Sequence, residues 1–351
     1  MENKAREYPL FSACGLNCGL CPRHHTVCSS RCPGCAGDGF STVHPTCGLL
    51  SIQEICASCE LENIPVRFYD FIESSRAIKG YSLPINFFNA IEYAKNCTTF
   101  SEGFIKQLHG ILATSEISDS KYRYNQEITK TDIFNRYGSH PIPADTIQSA
   151  MREMEKYISS IEYKNALLVA ARIHYQLEIL DPFDKYSRTI ARIIAVSALR
   201  WGGLLSHPAL WLSAYLHDLT IEYRDRIVAT YRQGEELFSV LWIKFFLIAV
   251  IASSNNAIRL IESLTSARNE HKEIIPHISH GNKSTDTIFE YVANTIIVNV
   301  RQISDALGLS FSSVTKVVKA FEEAGILRQV TQKERYRQFG YAPVLDMIEY
   351  V

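Results

Sequence analysis

The chain has no charge excess: 36 Lys and Arg against 37 Asp and Glu leave a formal net charge of −1. No global basic field attracts nucleic acid, and any such binding needs a local patch. The opening residues, MENKAREYPLFSACGLNCGLC, have no long apolar stretch, so no secretion signal is expected. Apolar runs long enough for a bilayer are lacking too. The strongest, FSVLWIKFFLIAVIAS, carries Lys244, falls short of the roughly 20 residues a span needs, and reads as a buried core helix. Cysteine is almost absent outside one window, since nine of the ten lie between Cys14 and Cys59 and Cys97 lies alone. These absences predict a cytoplasmic protein with no membrane partner. In a chain without an export signal, clustered thiols favour metal ligation over disulfides.

At 351 residues, two or three domains are expected. Residues 1–64 are rich in Cys, Gly, Pro and His and poor in periodic apolar runs. Such a segment cannot build its own core and needs a staple, which a metal supplies. Residues 65–270 show helical spacing almost throughout, in INFFNAIEYAKN, FIKQLHGILAT, IQSAMREMEKYISSI, NALLVAARIHYQLEIL and RIIAVSALRW. A polar stretch at 271–284 reads as linker, and 285–351 as three helices followed by a hairpin.

The cysteine spacing is C14-x3-C18-x2-C21, then Cys28, C32-P-G-C35, Cys47 and C56-x2-C59. Two-residue spacing lets adjacent thiolates converge on one ion, and Pro-Gly suits the tight turn of a knuckle. Cys14, Cys18, Cys21, Cys32, Cys35, Cys47, Cys56 and Cys59 are enough thiols for two four-thiolate zinc sites. His24, His25 and His44 are possible substitutes for a thiolate. An iron–sulfur cluster is the alternative, but no alternating β/α pattern follows to house one. CGLNCGLC…CPGC…CASC also resembles a small cysteine-rich bacterial domain family of unknown function, which implies metal binding.

The central loop is DPFDKYS, residues 181–187. The helix before it, NALLVAARIHYQLEIL, is apolar on nearly every face and must end at Asp181, because Pro182 disfavours helical geometry in its predecessor. A second buried helix is expected from Ser187 or Thr189, with Ser187 as N-cap. The loop therefore points at a helix N-terminus, where an anion is favoured. His174, His109 and His207 read as packing residues, and Tyr215, Tyr223 and Tyr231 as a packing stripe.

HYQLEILDPFDKYSRTIAR resembles the core of Fic proteins, whose motif runs HPF-x-[DE]-GNG-R. LSHPALWLSAYLHDLTIEYRDRI with WIKFFLIAV, LHGILATSEISDSKYRYNQ with HPIPADTIQSAMREMEKYI, and FIESSRAIKGYSLPINFFNAIEYAKN resemble its flanking, flap and inhibitory-helix regions. The resemblance implies a mainly α Fic-like core that transfers AMP from ATP, with Mg, to a hydroxyl of a protein target. It also implies roles for the loop: Asp181 stands at the general base, Asp184 at the metal-holding acid once a gap is placed, and Arg188 at the phosphate-binding Arg. Lys185, Tyr186 and Ser187 replace Gly-Asn-Gly, and Lys79 replaces the inhibitory Glu. Lys185, Ser187, Arg188, Arg192 and Lys79 are the candidate anion ligands.

These departures predict loss of function. A carboxylate of reference pKa about 3.9 is a poor base near neutrality and repels a triphosphate. Without glycine, the φ > 0 positions of a phosphate nest are costly. The expectation is a regulatory or binding module; the alternative is a transferase with altered chemistry.

The C-terminal NVRQISDALGLSFSSVTKVVKAFEEAGILRQVTQKERYRQFGY resembles a winged helix-turn-helix. Ser310 is a fitting N-cap and Gly325 a fitting C-cap. With Val314, Val317, Val318 and Phe321 packed inward, Ser312, Ser313, Thr315, Lys316 and Lys319 face out. With Lys333, Arg335 and Arg337 on the wing they form a modest phosphate footprint for DNA. A homodimer is a further possible partnership.

Overall fold

The computed structural model describes residues 45–66, 82–113, 120–124, 142–160, 165–205, 210–278, 284–295, 297–331 and 337–349. The chain is mainly α and divides into two compact units. One contains Glu54–Asn255, and the other contains Asn256–Val351 with the first described helix up to Gln53.

The first unit is built around two buried helices, α5 (Ala166–Leu180) and α6 (Ser187–Trp201), joined by the loop. Preceding them are α1 (Pro45–Leu61), α2 (Ser82–Asn96), α3 (Glu102–Ala113) and α4 (Ile147–Ser160). Following them come α7 (Ser213–Asp218), α8 (Thr220–Gln233), α9 (Glu235–Phe238), a π-turn over Ser239–Ile243 and α10 (Lys244–Ile278). The apolar periodicity places these helices as expected. α5 starts where the Asn165 side chain accepts a hydrogen bond from the Leu168 N–H at 3.3 Å, and it ends at Leu180, one residue before the X-Pro restriction. Ile190, Ala191, Ile194, Ala195 and Ala198 on α6 are 0 % exposed, which buries the helix between its neighbours.

Two devices lock this core. Trp242 is fully buried and its indole N–H donates to the Ala171 carbonyl at 2.7 Å, so the π-turn is tied to the middle of α5. The buried Glu54 carboxylate accepts from the Ser213 N–H at 2.9 Å and from the Ser213 hydroxyl, which anchors the start of α7 to α1.

The second unit contains the rest of α10, then α11 (Thr285–Ala293), α12 (Val300–Leu307), α13 (Phe311–Glu323) and α14 (Ala342–Glu349). Strands β1 (Ile297–Val298), β2 (Leu327–Gln329) and β3 (Phe339–Tyr341) form an antiparallel sheet in the order β1-β3-β2. Ser310 caps α13 by accepting from the Ser313 N–H at 3.2 Å, and Val314, Val317, Val318 and Phe321 turn inward.

Two expectations need correction. The stretch read as linker is helical as far as Ile278, and the first compact unit ends at Asn255, within α10. Polar composition misled there, because a helix with one solvated side needs few apolar residues. The helix that carries the apolar run is also longer than expected. Val240–Ile278 has the length and mean hydropathy, 1.5, of a membrane span, although only 33 % of its most apolar window is buried. Its inner side carries Trp242, Phe246 and Ala249 into the core.

α5 and α6 approach closely at Gly202, where a Cβ would lie 2.2 Å from the Ala166 Cβ. Gly202→Ala should therefore lower unfolding free energy by about 1–3 kcal/mol, the usual cost of overpacking, measured by chemical denaturation.

Candidate functional site

The loop leaves α5 through Asp181, which has φ 41° and ψ 64° as the left-handed cap of that helix. Arg123 fixes this turn. Its Nε donates to the Asp181 carbonyl at 2.8 Å, and its Nη2 donates to Leu180 and Ile142 carbonyls at 3.3 and 2.8 Å. Its backbone N–H donates to the Pro182 carbonyl at 2.9 Å. A guanidinium on the last carbonyls of a helix meets both the orphan acceptors and the negative helix end. The segment 120–124 is thereby laid along the loop. A further anchor is Glu102, which accepts from the Tyr122 hydroxyl at 3.0 Å and from Gln148 Nε2 at 2.9 Å.

Phe183 points inward and stacks on His109, with ring centroids 4.0 Å apart and planes 4° from parallel. His109 Nδ1 lies 2.6 Å from the Ser120 hydroxyl. Burial pulls its pKa down to about 4. Asp184 and Lys185 are exposed.

Tyr186 takes φ 64°, and α6 begins at Ser187. Two expectations change here. A left-handed residue persists without glycine, held by a tyrosine at a strain cost of order 1–3 kcal/mol. Ser187 is not the N-cap but the first helical residue. Its hydroxyl folds back on the loop, accepting from the Phe183 N–H at 2.9 Å and donating to the Phe183 carbonyl at 3.0 Å. It is 2 % exposed, so this hydroxyl serves the loop's own backbone.

Two of the three arginines on α6, Arg188 and Arg192, are buried as well. Arg192 is 1 % exposed. Its Nε and Nη2 donate to the Ser58 hydroxyl at 3.2 and 2.6 Å, its Nη2 donates to Thr189 Oγ1 at 3.1 Å, and the Glu62 carboxylate lies 3.7 Å away. Thr189 in turn donates to Glu62 at 3.0 Å. Arg188, 6 % exposed, has its Nε 3.8 Å from Glu178 Oε2.

Glu178 belongs to a fully enclosed polar group. The Tyr223 hydroxyl donates to its Oε1, and His174 Nε2 lies 3.4 Å from that oxygen and 3.0 Å from the hydroxyl. Burial alone would raise the Glu178 pKa, but His174, Arg188 and Arg192 hold it below the usual carboxylate range. Burial lowers the His174 pKa against the pull of Glu178, and burial with Glu178 pushes Tyr223 well up. His174 also touches Trp242 and Phe246 edge-on at 5.4 and 5.7 Å. It is a core histidine, as its apolar helix suggests.

The structure thus brings Asp181, Ser187, Arg188 and Arg192 to the loop and the first turns of α6, with Asp184 and Lys185 on its outer side. Lys79, Cys14, Cys18, Cys21, Cys32, Cys35 and Arg335 lie outside the described residues, as do His24, His25, His44, His207 and Lys333. Cys47 falls within α1, but its side chain is not described. Cys56 and Cys59 stand three residues apart on α1, Cys56 half-buried and Cys59 buried. Among the described residues no group of three potential ligands forms.

Sequence reasoning missed Arg123, Ser58 and Glu62. It also passed over Glu178, although a carboxylate four residues after His174 on an all-apolar helix signals a buried partner.

The solved structures contain a counterpart to this fold. A Fic family protein from Desulfovibrio desulfuricans G20 matches with a TM-score of 0.50 at 15 % identity, over 84 % of this chain and 87 % of that one. The fold is Fic-like. No protein-family profile and no curated protein matches the chain. At this identity the Fic-like likeness speaks for architecture alone, and the chemistry rests on the residues.

His109 contributes one part of the pH dependence of the first unit's stability. Its folded pKa lies below the unfolded value of about 6.5, so the folded state loses stability as pH falls from about 6.5 towards 4. His109→Phe keeps a ring against Phe183 and should flatten that dependence by at most about 1.4 kcal/mol per pH unit. Denaturant titrations at pH 4.5 and 6.5 measure it.

Proposed function

We propose that this Fic-fold protein does not transfer AMP and works as a regulatory or binding module. One observation carries the reading: Arg188 and Arg192, the cations expected to hold phosphate, are buried beside Glu178 and Glu62. An incoming triphosphate would have to displace these carboxylates, leaving buried charge unpaired at a cost of several kcal/mol each. Asp181 at the position of the base adds to the obstacle. Losing a general base alone costs on the order of 10²- to 10⁴-fold in rate.

The chemistry is tested by incubating the purified chain with radiolabelled ATP, magnesium and a mixed protein fraction. The expected outcome is no label on the chain or any acceptor. Asp181→His should stay silent as well, because a restored base leaves the arginines engaged. Label that appears with the native chain and disappears with Arg188→Ala would support the transferase reading instead.

The cysteine-rich head is proposed to bind zinc, with an iron–sulfur cluster as the alternative. Bound metal would staple a segment too poor in apolar residues to fold unaided. Elemental analysis and an anaerobic absorption spectrum separate the two.

The C-terminal unit is proposed to be a winged helix that contacts DNA through α13. Ser312, Thr315, Lys316 and Lys319 are exposed along its outer side, with Ser313 half-buried at the capped end. Arg337 is a weaker phosphate contact than expected. Its Nη1 donates to Gln329 at 3.0 Å and lies 3.3 Å from Glu322, and its guanidinium sits over Phe339. Replacing Lys316 and Lys319 with Glu should weaken binding to a fluorescent duplex and lower the salt slope by about 2, read by anisotropy.

A further inference from the structure

The sequence of α13, FSSVTKVVKAFEE, contains no Arg, Asn or Gln. Those are the side chains that most often read guanine and adenine by paired hydrogen bonds in the major groove. The hydroxyls at the start of the helix are occupied as well. Ser310 Oγ accepts from the Ser313 N–H at 3.2 Å and lies 3.3 Å from Ser312 Oγ. Thr315 Oγ1 donates to the Phe311 carbonyl at 2.7 Å, so what Thr315 has left to offer a ligand is its methyl group.

The group that the helix does present at this end is apolar. Phe311, its first residue, is 59 % exposed, and from Val300 to Glu323 no other large apolar side chain is exposed. Thr315 follows at a four-residue spacing, on the same side of the helix. The neighbouring stripe carries exposed Ser312, Lys316 and Lys319, with Lys319 Nζ 3.5 Å from Glu323. A protein-docking surface needs a contiguous apolar patch, and one ring among hydroxyls and ammonium groups does not make one. A base-edge methyl flanked by phosphates matches both the ring and the lysines.

We propose that Phe311 and Thr315 are the base-reading residues of α13, and that they select thymine by packing on its 5-methyl group in the major groove. This rests on the reading of the C-terminal unit as a winged helix that contacts DNA. The phenyl ring and the threonine methyl shield the thymine methyl from water. Cytosine lacks that methyl and brings an amino donor instead, for which the first turns of α13 hold no carboxylate. Lys316 and Lys319 supply charge for the flanking phosphates.

Selection with the full chain from a random-sequence duplex library, followed by anisotropy on the enriched duplex, tests this. Enriched duplexes should share one or two adjacent thymines. Replacing these with deoxyuridine removes the methyl, keeps the pairing, and should weaken native binding by about fourfold per methyl. Phe311→Ser should bind the thymine and deoxyuridine duplexes alike. Thr315→Ser keeps the backbone-bonded hydroxyl and should narrow the ratio. Lys316→Gln should weaken both duplexes and keep the ratio. If circular dichroism shows that Phe311→Ser loses helical signal, Phe311→Leu takes its place and should also narrow the ratio. Native binding that is equal for thymine and deoxyuridine, or a preference that survives these changes at Phe311, would overturn the proposal and leave the DNA reading standing. No binding to any duplex at low salt would overturn both.

Discussion

The first unit depends on one buried guanidinium. Arg192 sits on α6 among Ser58, Thr189 and Glu62, with almost no access to water. A charge in that position is tolerable only when paired and hydrogen-bonded, and removing one partner of such a pair typically costs about 3–5 kcal/mol. The end of α1 must therefore dock against the start of α6 for the fold to close. Thr189 reinforces the contact by donating to the same Glu62 carboxylate that faces Arg192.

A second buried ion pair repeats this logic one turn earlier. Arg188 faces Glu178, and Glu178 is shared with Tyr223 and His174 inside a wall of aromatic rings. The two pairs link α1, α5, α6 and α8 through groups that cannot be separated without stranding a charge. Both cations stand within 4 Å of one of the protein's own carboxylates, at 3.8 Å for Arg188 and 3.7 Å for Arg192. The loop itself is tightly held, by Arg123 on its outgoing carbonyls, by the His109 stack under Phe183, and by the Ser187 hydroxyl folded onto Phe183.

Much of this architecture was legible in the sequence because apolar periodicity carries it. The helices around INFFNAIEYAKN, IQSAMREMEKYISSI and NALLVAARIHYQLEIL follow from their 3.6-residue pattern, and Pro182 fixes the end of α5. The outer positions of α13 follow from the Val and Phe spacing. What escaped were partnerships across long stretches of chain. Ser58 and Arg192 are 134 residues apart, and nothing in local spacing announces their contact. Ser187 was misread as a cap because the residue before it, Tyr186, takes a left-handed conformation that propensity assigns to Gly or Asn. The polar stretch from residue 271 looked like linker because composition reports solvation and not backbone conformation.

The central claim is that the arginines of α6 are engaged internally. Isothermal calorimetry of ATP with magnesium, titrated into the native chain, addresses it most directly. The account predicts no measurable heat of binding for the native protein. Tight, magnesium-dependent binding that Arg188→Ala abolishes would contradict it.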